Sequence, residues 1–130
     1  MNHELVARQV SIQEDEDIFI LAFADGEADT GPYLLLQYSL CPDEQDVRLR
    51  QDGVYIERDD QGYGCYLGVR EIRRVGNRVE IDLTESGKQG LQTQHIVITP
   101  LPWDALIDRG LARLAELSRG EYNVTFDGVA

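Results

Sequence analysis

The first two-thirds of the chain alternate between short apolar runs and polar connections. The clearest case is residues 78–83, where Val79, Ile81 and Leu83 alternate with charged residues. A period of two puts the apolar side chains on one face of a β-strand and the charged ones on the other. One face is then buried and the other wet, as in an antiparallel sheet.

Other segments have the composition of strands and are bounded by turn residues. The sequence predicts further strands at residues 6–12, 17–23, 32–40, 54–57, 63–69, 72–75 and 95–99. Gly26 and Gly31 suit a hairpin loop between the second and third of these, and Gly76-Asn77 suits a tight turn between residues 72–75 and 78–83. Residues 41–52 form a polar connection, and residues 84–91 form a short helical turn.

The C-terminal third carries a helical period. Trp103, Leu106, Ile107, Leu111, Leu114 and Leu117 make one apolar stripe, and Arg119-Gly120 supplies an end signal. The stripe predicts a helix over residues 103–118, with Trp103 largely buried. We therefore expect one α+β domain over residues 1–130. Residues 4–99 form an antiparallel sheet of about six or seven strands, the helix packs on one face, and the tail (119–130) adds an edge strand or frays.

Charge is unevenly distributed along the chain. The 130 residues hold 24 acidic and 12 basic side chains, a net charge of −12, and residues 1–65 hold 15 of the acids but 4 of the bases. Such a field repels nucleic acid and anionic membranes and attracts basic surfaces. The alternative is that the acidic charge only keeps the protein soluble. No apolar run is long enough for a membrane span, and the N-terminus lacks the pattern of a signal peptide, so a cytoplasmic location is expected.

The search for catalytic and metal-binding motifs gives no candidate. Residues 25–29 begin like a calcium loop, but Thr30 and Leu36 stand where an EF-hand needs glycine and glutamate. Cys41 and Cys65 form no CxxC pair and are expected to be free thiols. We expect no catalytic residue, metal or cofactor, and no enzymatic activity, although a pair of carboxylates meeting in space would leave a small hydrolase open.

Tyrosines and acids lie close together in the sequence. Tyrosine is favoured at the centre of protein interfaces because it offers apolar area with few rotatable bonds and a polar tip. The alternative is that these rings are core residues or cross-strand pairs. The candidate partner-binding residues are Asp43, Glu44, Asp46, Asp59, Asp60, Tyr55, Tyr63 and Tyr66.

Several segments, in order, resemble the immunity protein 10 family of bacterial polymorphic-toxin systems. They are residues 33–37, 43–46, 53–57, 60–63, 64–72 and 79–83, within a resemblance that extends over about residues 17–118. The resemblance implies a cytoplasmic bacterial protein that inhibits a cognate toxin by binding, and it implies no catalytic residue. An acidic inhibitor suits a toxin with a basic site, such as a nuclease. A non-enzymatic scaffold domain that forms a homodimer is the alternative.

Overall fold

The computed structural model describes residues 2–26, 31–49, 53–59 and 61–127. Within these ranges the chain forms ten strands. In chain order they are β1 (Asn2–Ala7), β2 (Gln9–Glu14), β3 (Ile18–Ala24), β4 (Tyr33–Ser39), β5 (Tyr55–Arg58), β6 (Gly64–Tyr66), β7 (Val69–Val75), β8 (Arg78–Leu83), β9 (His95–Pro100) and β10 (Asn123–Asp127).

Three α-helices and one 3-10 turn connect the described strands: α1 (Glu44–Arg48), the turn Gln61–Tyr63, α2 (Glu85–Leu91) and α3 (Ala105–Ser118). The polar connection after β4 therefore contains a short helix that the sequence did not predict. The helical turn expected at residues 84–91 is confirmed as α2, whose N-cap Thr84 accepts a hydrogen bond from the backbone of Gly87.

The α+β class is confirmed, but the described strands form two sheets instead of one. Sheet A has the order β1-β9-β8-β7-β10, and sheet B has the order β2-β3-β4-β5-β6. The predicted strand over residues 6–12 is divided at Arg8, whose backbone N–H binds the carbonyl of Ala24. The residues before Arg8 enter sheet A and those after it enter sheet B.

Sheet B is antiparallel throughout, as the hairpin signals predicted. Its strands β3 and β4 alternate cleanly: Phe19, Leu21 and Phe23 of β3 are buried, and their neighbours in the strand are half-buried. In β4, Leu34 and Leu36 are buried in the same way. We call the side of sheet B that carries these buried residues its inner side and the opposite side its outer side.

Sheet A is mixed. The predicted hairpin of β7 and β8 is confirmed, with Gly76 in the left-handed region at φ 61° where the tight turn needs it. The two edge strands, β1 and β10, are both parallel to their neighbours, β9 and β7. The C-terminal tail thus supplies an edge strand over residues 123–127, which was one of the two outcomes expected for it.

The helix α3 confirms the apolar stripe but begins later than predicted. Asp104 is the N-cap and accepts a hydrogen bond from the N–H of Leu106, so Trp103 lies before the helix. Trp103 is partly buried and packs against the core cluster. The Arg74 guanidinium lies 4.0 Å from its ring centre, and its Nε1 donates to Asp108. The expected burial of Trp103 is therefore met in part, whereas its expected place at the start of the helix is wrong.

Two glycines allow the helices to approach the sheets closely. A Cβ at Gly110 of α3 would lie 2.7 Å from Cδ1 of Leu21, so α3 packs against the inner side of sheet B at this point. A Cβ at Gly87 of α2 would overlap the backbone carbonyl of Gly68, which lies between β6 and β7. The helices and the two sheets enclose one continuous cluster of buried apolar side chains.

Candidate protein-binding surfaces

The acids of the connection between β4 and β5 organise α1. Asp43 is the N-cap: its carboxylate accepts from the N–H of Asp46 at 2.8 Å, and the Asp46 carboxylate accepts from the N–H of Asp43 at 3.1 Å. This reciprocal pair stabilises the start of a helix too short to be stable alone. Asp43 and Glu44 are exposed, as is Val47. The α1 group, which we define as Asp43, Glu44 and Asp46, is therefore a charged surface feature beside exposed apolar side chains.

The Asp59 carboxylate has several partners within the fold. It adopts a left-handed backbone at φ 66°, and its carboxylate accepts from the Tyr33 N–H at 3.2 Å. The same carboxylate pairs with Arg58 at 2.8 Å and lies 3.7 Å from Nε2 of His3 in β1. Asp59 thus joins the end of β5 to both sheets. Asp60 lies outside the described residues.

The two predicted acidic groups are not close together. Asp59 lies beside Tyr33, where β4 begins, because its N–H binds the Tyr33 carbonyl. The α1 group follows the other end of β4. The seven residues of β4 span roughly 20 Å at about 3.3 Å per residue. The structure therefore divides the candidate acids between opposite ends of sheet B.

His3 makes stability sensitive to pH near neutrality. Burial lowers the pKa of His3 below its usual 6.5, outweighing the attraction of Asp59. The folded state then binds fewer protons than the unfolded state as the pH falls below 6.5. We expect the free energy of unfolding to decrease over that range, down to the folded pKa. Replacing His3 by Gln removes this contribution, so urea titrations at several pH values should show a weaker decrease for His3→Gln. An equal pH dependence of the free energy of unfolding in the wild type and His3→Gln would contradict this prediction.

The three candidate tyrosines have different surroundings. Tyr63 is half-buried under the Arg58 guanidinium, which lies 4.3 Å from its ring centre. Tyr55 and Tyr66 are cross-strand partners on β5 and β6, with ring centres 5.0 Å apart. Tyr66 is exposed. Of the three, Tyr55 and Tyr66 form an aromatic pair on the outer side of sheet B.

A buried carboxylate lies next to this pair and was not among the candidates. Glu57 is 7% exposed, and its two oxygens accept from the hydroxyls of Tyr55, at 2.6 Å, and of Tyr33. Burial, and then the hydrogen bond to Glu57, raise the pKa of Tyr55, so its hydroxyl stays a donor. The sequence contains a signal for this arrangement: Tyr55 and Glu57 are two residues apart in a strand, so their side chains lie on the same face.

A groove of about 410 Å³ opens between α1, the end of β4 and the C-terminal end of α3. Its lining includes Val47, Leu117 and Glu121. Glu121 accepts from the hydroxyl of Tyr38 at 2.8 Å and from the Val54 N–H at 3.1 Å. The Tyr38 hydroxyl also lies within hydrogen-bonding distance of the Tyr122 hydroxyl, at 3.0 Å. Both oxygens of the Glu121 carboxylate therefore have partners within the fold.

The outer side of sheet A carries charges of both signs. Arg73 donates to Asp82 at 2.7 Å and pairs with Glu80 at 3.3 Å. His95 presents Nδ1 to Asp82 at 2.7 Å and Nε2 to Glu80 at 3.3 Å. The hydrogen bond from Arg78, followed by that from Arg73, holds the pKa of Glu80 below its usual range against the effect of burial. Both His95 ring nitrogens therefore face carboxylates of β8.

The remaining chemical candidates are accounted for. Cys41 and Cys65 are free thiols, and burial raises the pKa of Cys65, which makes it a poor nucleophile. In the described ranges no three His, Cys, Asp or Glu side chains meet as a metal site would need. Among the same residues, no helix has the length and apolar character required to cross a membrane.

Comparison with known proteins gives one match that extends over most of the chain. A family model described as immunity protein 10 matches residues 6–105, which contain β2 to β9 and both candidate acidic groups. No curated protein matches the chain. The matched residues include the segments that carried the resemblance. Because the match covers most of the chain, this chain belongs to the immunity protein 10 family.

Proposed function

We propose that this protein binds a cognate bacterial toxin in the cytoplasm and neutralises it through an acidic surface that faces a basic site of the toxin. The family match over residues 6–105 carries the proposal. The net charge of −12, concentrated in the first half of the chain, supports it because a field of this sign speeds encounter with basic surfaces. Inhibition by occupying the toxin's active site or substrate channel requires no catalytic group on the inhibitor.

The proposed contact residues fall into two acidic groups and a set of tyrosines. Asp43 and Glu44 of the α1 group are exposed and are suited to steering an approaching partner. Asp59 and Tyr63 lie at the other end of β4, where Asp59 has internal partners, and Asp60 follows Asp59 in the sequence. Because the Debye length is about 8 Å at physiological salt, groups roughly 20 Å apart act on a partner independently. Tyr55 and Tyr66 lie on the outer side of sheet B between them.

The direct test is protection from the toxin. The C-terminal domain of a toxin encoded beside this gene is expressed in bacteria with and without this protein, and growth and co-purification are measured. We expect growth arrest by the toxin alone, and both rescue and a stable complex when the two are expressed together. A toxin domain that kills equally in both cases and does not co-purify would reject the proposal.

Neutralising the α1 group should slow association with the toxin. In the variant Asp43→Asn, Glu44→Gln, Asp46→Asn the cap acceptors are retained, so stability should change little. Exposed charges act mainly on encounter, and we expect the association rate at low salt to fall about 3- to 10-fold, with a smaller difference at about 1 M salt. Stopped-flow or surface plasmon resonance gives these rates.

The matched control is Glu85→Gln on α2, whose side chain is 88% exposed. It also removes charge, but far along the chain from α1, and it should leave the association rate nearly unchanged. If the triple variant associates as fast as the wild type at low salt, the α1 group does not steer binding.

A homodimer is the alternative assembly. Both sheets end in edge strands in the described part of the chain, β1 and β10 in sheet A and β2 and β6 in sheet B. Edge strands offer unpaired backbone groups to a second copy. Sedimentation velocity over a range of concentrations distinguishes a dimer from a monomer.

A further inference from the structure

The outer side of sheet B is lined mainly by apolar and aromatic side chains. The strand register places Ile20, Gln37, Tyr55 and Tyr66 in one cross-strand row, and Ala22, Leu35, Glu57 and Gly64 in the next. The contacts of α3 at Leu21 and of α2 at Cys65 both fall on the inner side. We call the part of the outer side formed by Tyr33, Leu35, Tyr55, Glu57 and Tyr66 the Glu57 face.

Glu57 is the one member of these two rows that carries a charge, and it is only 7% exposed. Among the described residues, no Lys, Arg or His forms an ion pair with it; its bonds come from the two tyrosine hydroxyls. A carboxylate taken out of water without a cation is costly unless a partner compensates for it. The acids on the outer side of sheet A differ, because Arg73, Arg78 and His95 already compensate Glu80 and Asp82.

The side chains around Glu57 are held in place before any partner arrives. Tyr55 is fixed at one end by its hydrogen bond to Glu57 and along its ring by Tyr66. Gly64 provides the room, since a Cβ there would overlap the Tyr55 hydroxyl. Rigid tyrosines next to a desolvated charge are typical of the residues that dominate binding energy at interfaces.

We infer that the Glu57 face is the toxin-docking surface and that it receives an arginine or lysine side chain of the toxin, whose cationic head pairs with Glu57 and whose stem packs on Leu35 and the tyrosine rings. The inference rests on the proposed function and names the surface that performs it. A carboxylate with unused lone pairs matches a guanidinium or ammonium donor, and the rings suit a guanidinium plane. The distant acids then speed encounter, while this face holds the complex.

The main test is Glu57→Gln, measured with the toxin domain that the protection assay uses. Glutamine keeps the size of the side chain and an acceptor for one tyrosine. Losing one partner of a buried charge pair costs about 2 kcal/mol or more in such interfaces, so we expect at least about 30-fold weaker binding, mostly as faster dissociation. The melting temperature of Glu57→Gln shows whether the fold is retained.

A second variant gives the answer even if Glu57→Gln does not fold. Leu35 lies directly opposite Glu57 on β4, and Leu35→Lys supplies an internal cation to the carboxylate. We expect it to fold, to pair with Glu57 and to lose at least about 30-fold in affinity, because the site for the toxin's cation is filled. Gln89→Lys, which adds the same charge at an exposed position of α2 outside this face, is its matched control and should bind within about 3-fold of the wild type.

The outcomes distinguish a failure of the proposed function from a failure of the proposed docking surface. If the wild type neither binds nor protects, the proposed function fails and the docking surface fails with it. If the wild type binds and folded Glu57→Gln and Leu35→Lys bind equally well, the Glu57 face is not the docking surface, although toxin inhibition stands. Weak binding by Leu35→Lys with normal binding by Gln89→Lys supports the inference.

Discussion

Leu114→Ala is expected to reduce the free energy of unfolding by about 2–5 kcal/mol, the usual range for truncating a fully buried leucine. Leu114 is on the buried face of α3 and has no exposed surface. The loss combines the transfer of apolar atoms with the cavity they leave in the shared core. Urea denaturation followed by circular dichroism measures it.

The matched control lies one turn further along the helix. Leu117 continues the same stripe but is only partly buried, beside the groove. Leu117→Ala should therefore cost clearly less than Leu114→Ala, since less apolar area returns to water and the site is open to solvent. Equal losses at the two positions would mean that α3 packs on the sheets differently from the structure.

Gly87→Ala is the second large effect, and we expect a loss of about 1–3 kcal/mol. Alanine normally stabilises a helix relative to glycine by about 1 kcal/mol, so helix propensity alone predicts the opposite sign. The added methyl group would overlap the carbonyl of Gly68, and backbone cannot move aside as a flexible side chain can. Thermal unfolding of Gly87→Ala shows whether the substitution lowers the stability, as the overlap predicts, or raises it, as helix propensity predicts.

Ser86→Ala is the control for that experiment. Ser86 is the preceding residue of α2 and is exposed. The substitution changes helix propensity in the same direction without adding an atom near Gly68, so stability should stay the same or rise slightly. A Gly87→Ala variant as stable as Ser86→Ala would show that α2 does not lie against Gly68.

Local pattern predicted the elements of the fold better than their arrangement. Alternation at Val79, Ile81 and Leu83 located β8, and the stripe from Leu106 to Leu117 located α3. The division at Arg8 has no such signal, because apolar residues continue on both sides of it. The parallel pairing of β1 with β9 joins residues far apart in the chain, and single-chain periodicity carries no information about such partners.

The sequence suggested candidate site residues one by one but did not predict how they are arranged. Acids near the tyrosines in sequence suggested one patch, whereas the length of β4 separates the α1 group from Asp59. Glu57 was not predicted as a site residue, because its burial depends on Tyr33, a residue of another strand. Capping by Asp43 and the ion pair of Asp59 also show that acidity in the sequence reflects local structure as well as surface charge.

The way the two sheets divide the chain sets an order for folding during synthesis. Sheet B uses only residues 9–66, so all its strands leave the ribosome before β7 is complete. Sheet A needs β1 at one end of the chain and β9 near the other, with Asn2 opposite His95. Pairing so far apart in sequence is slow to close. We therefore expect the emerging chain to assemble the sheet that carries Glu57 first, and β1 to stay unpaired until β9 has been made.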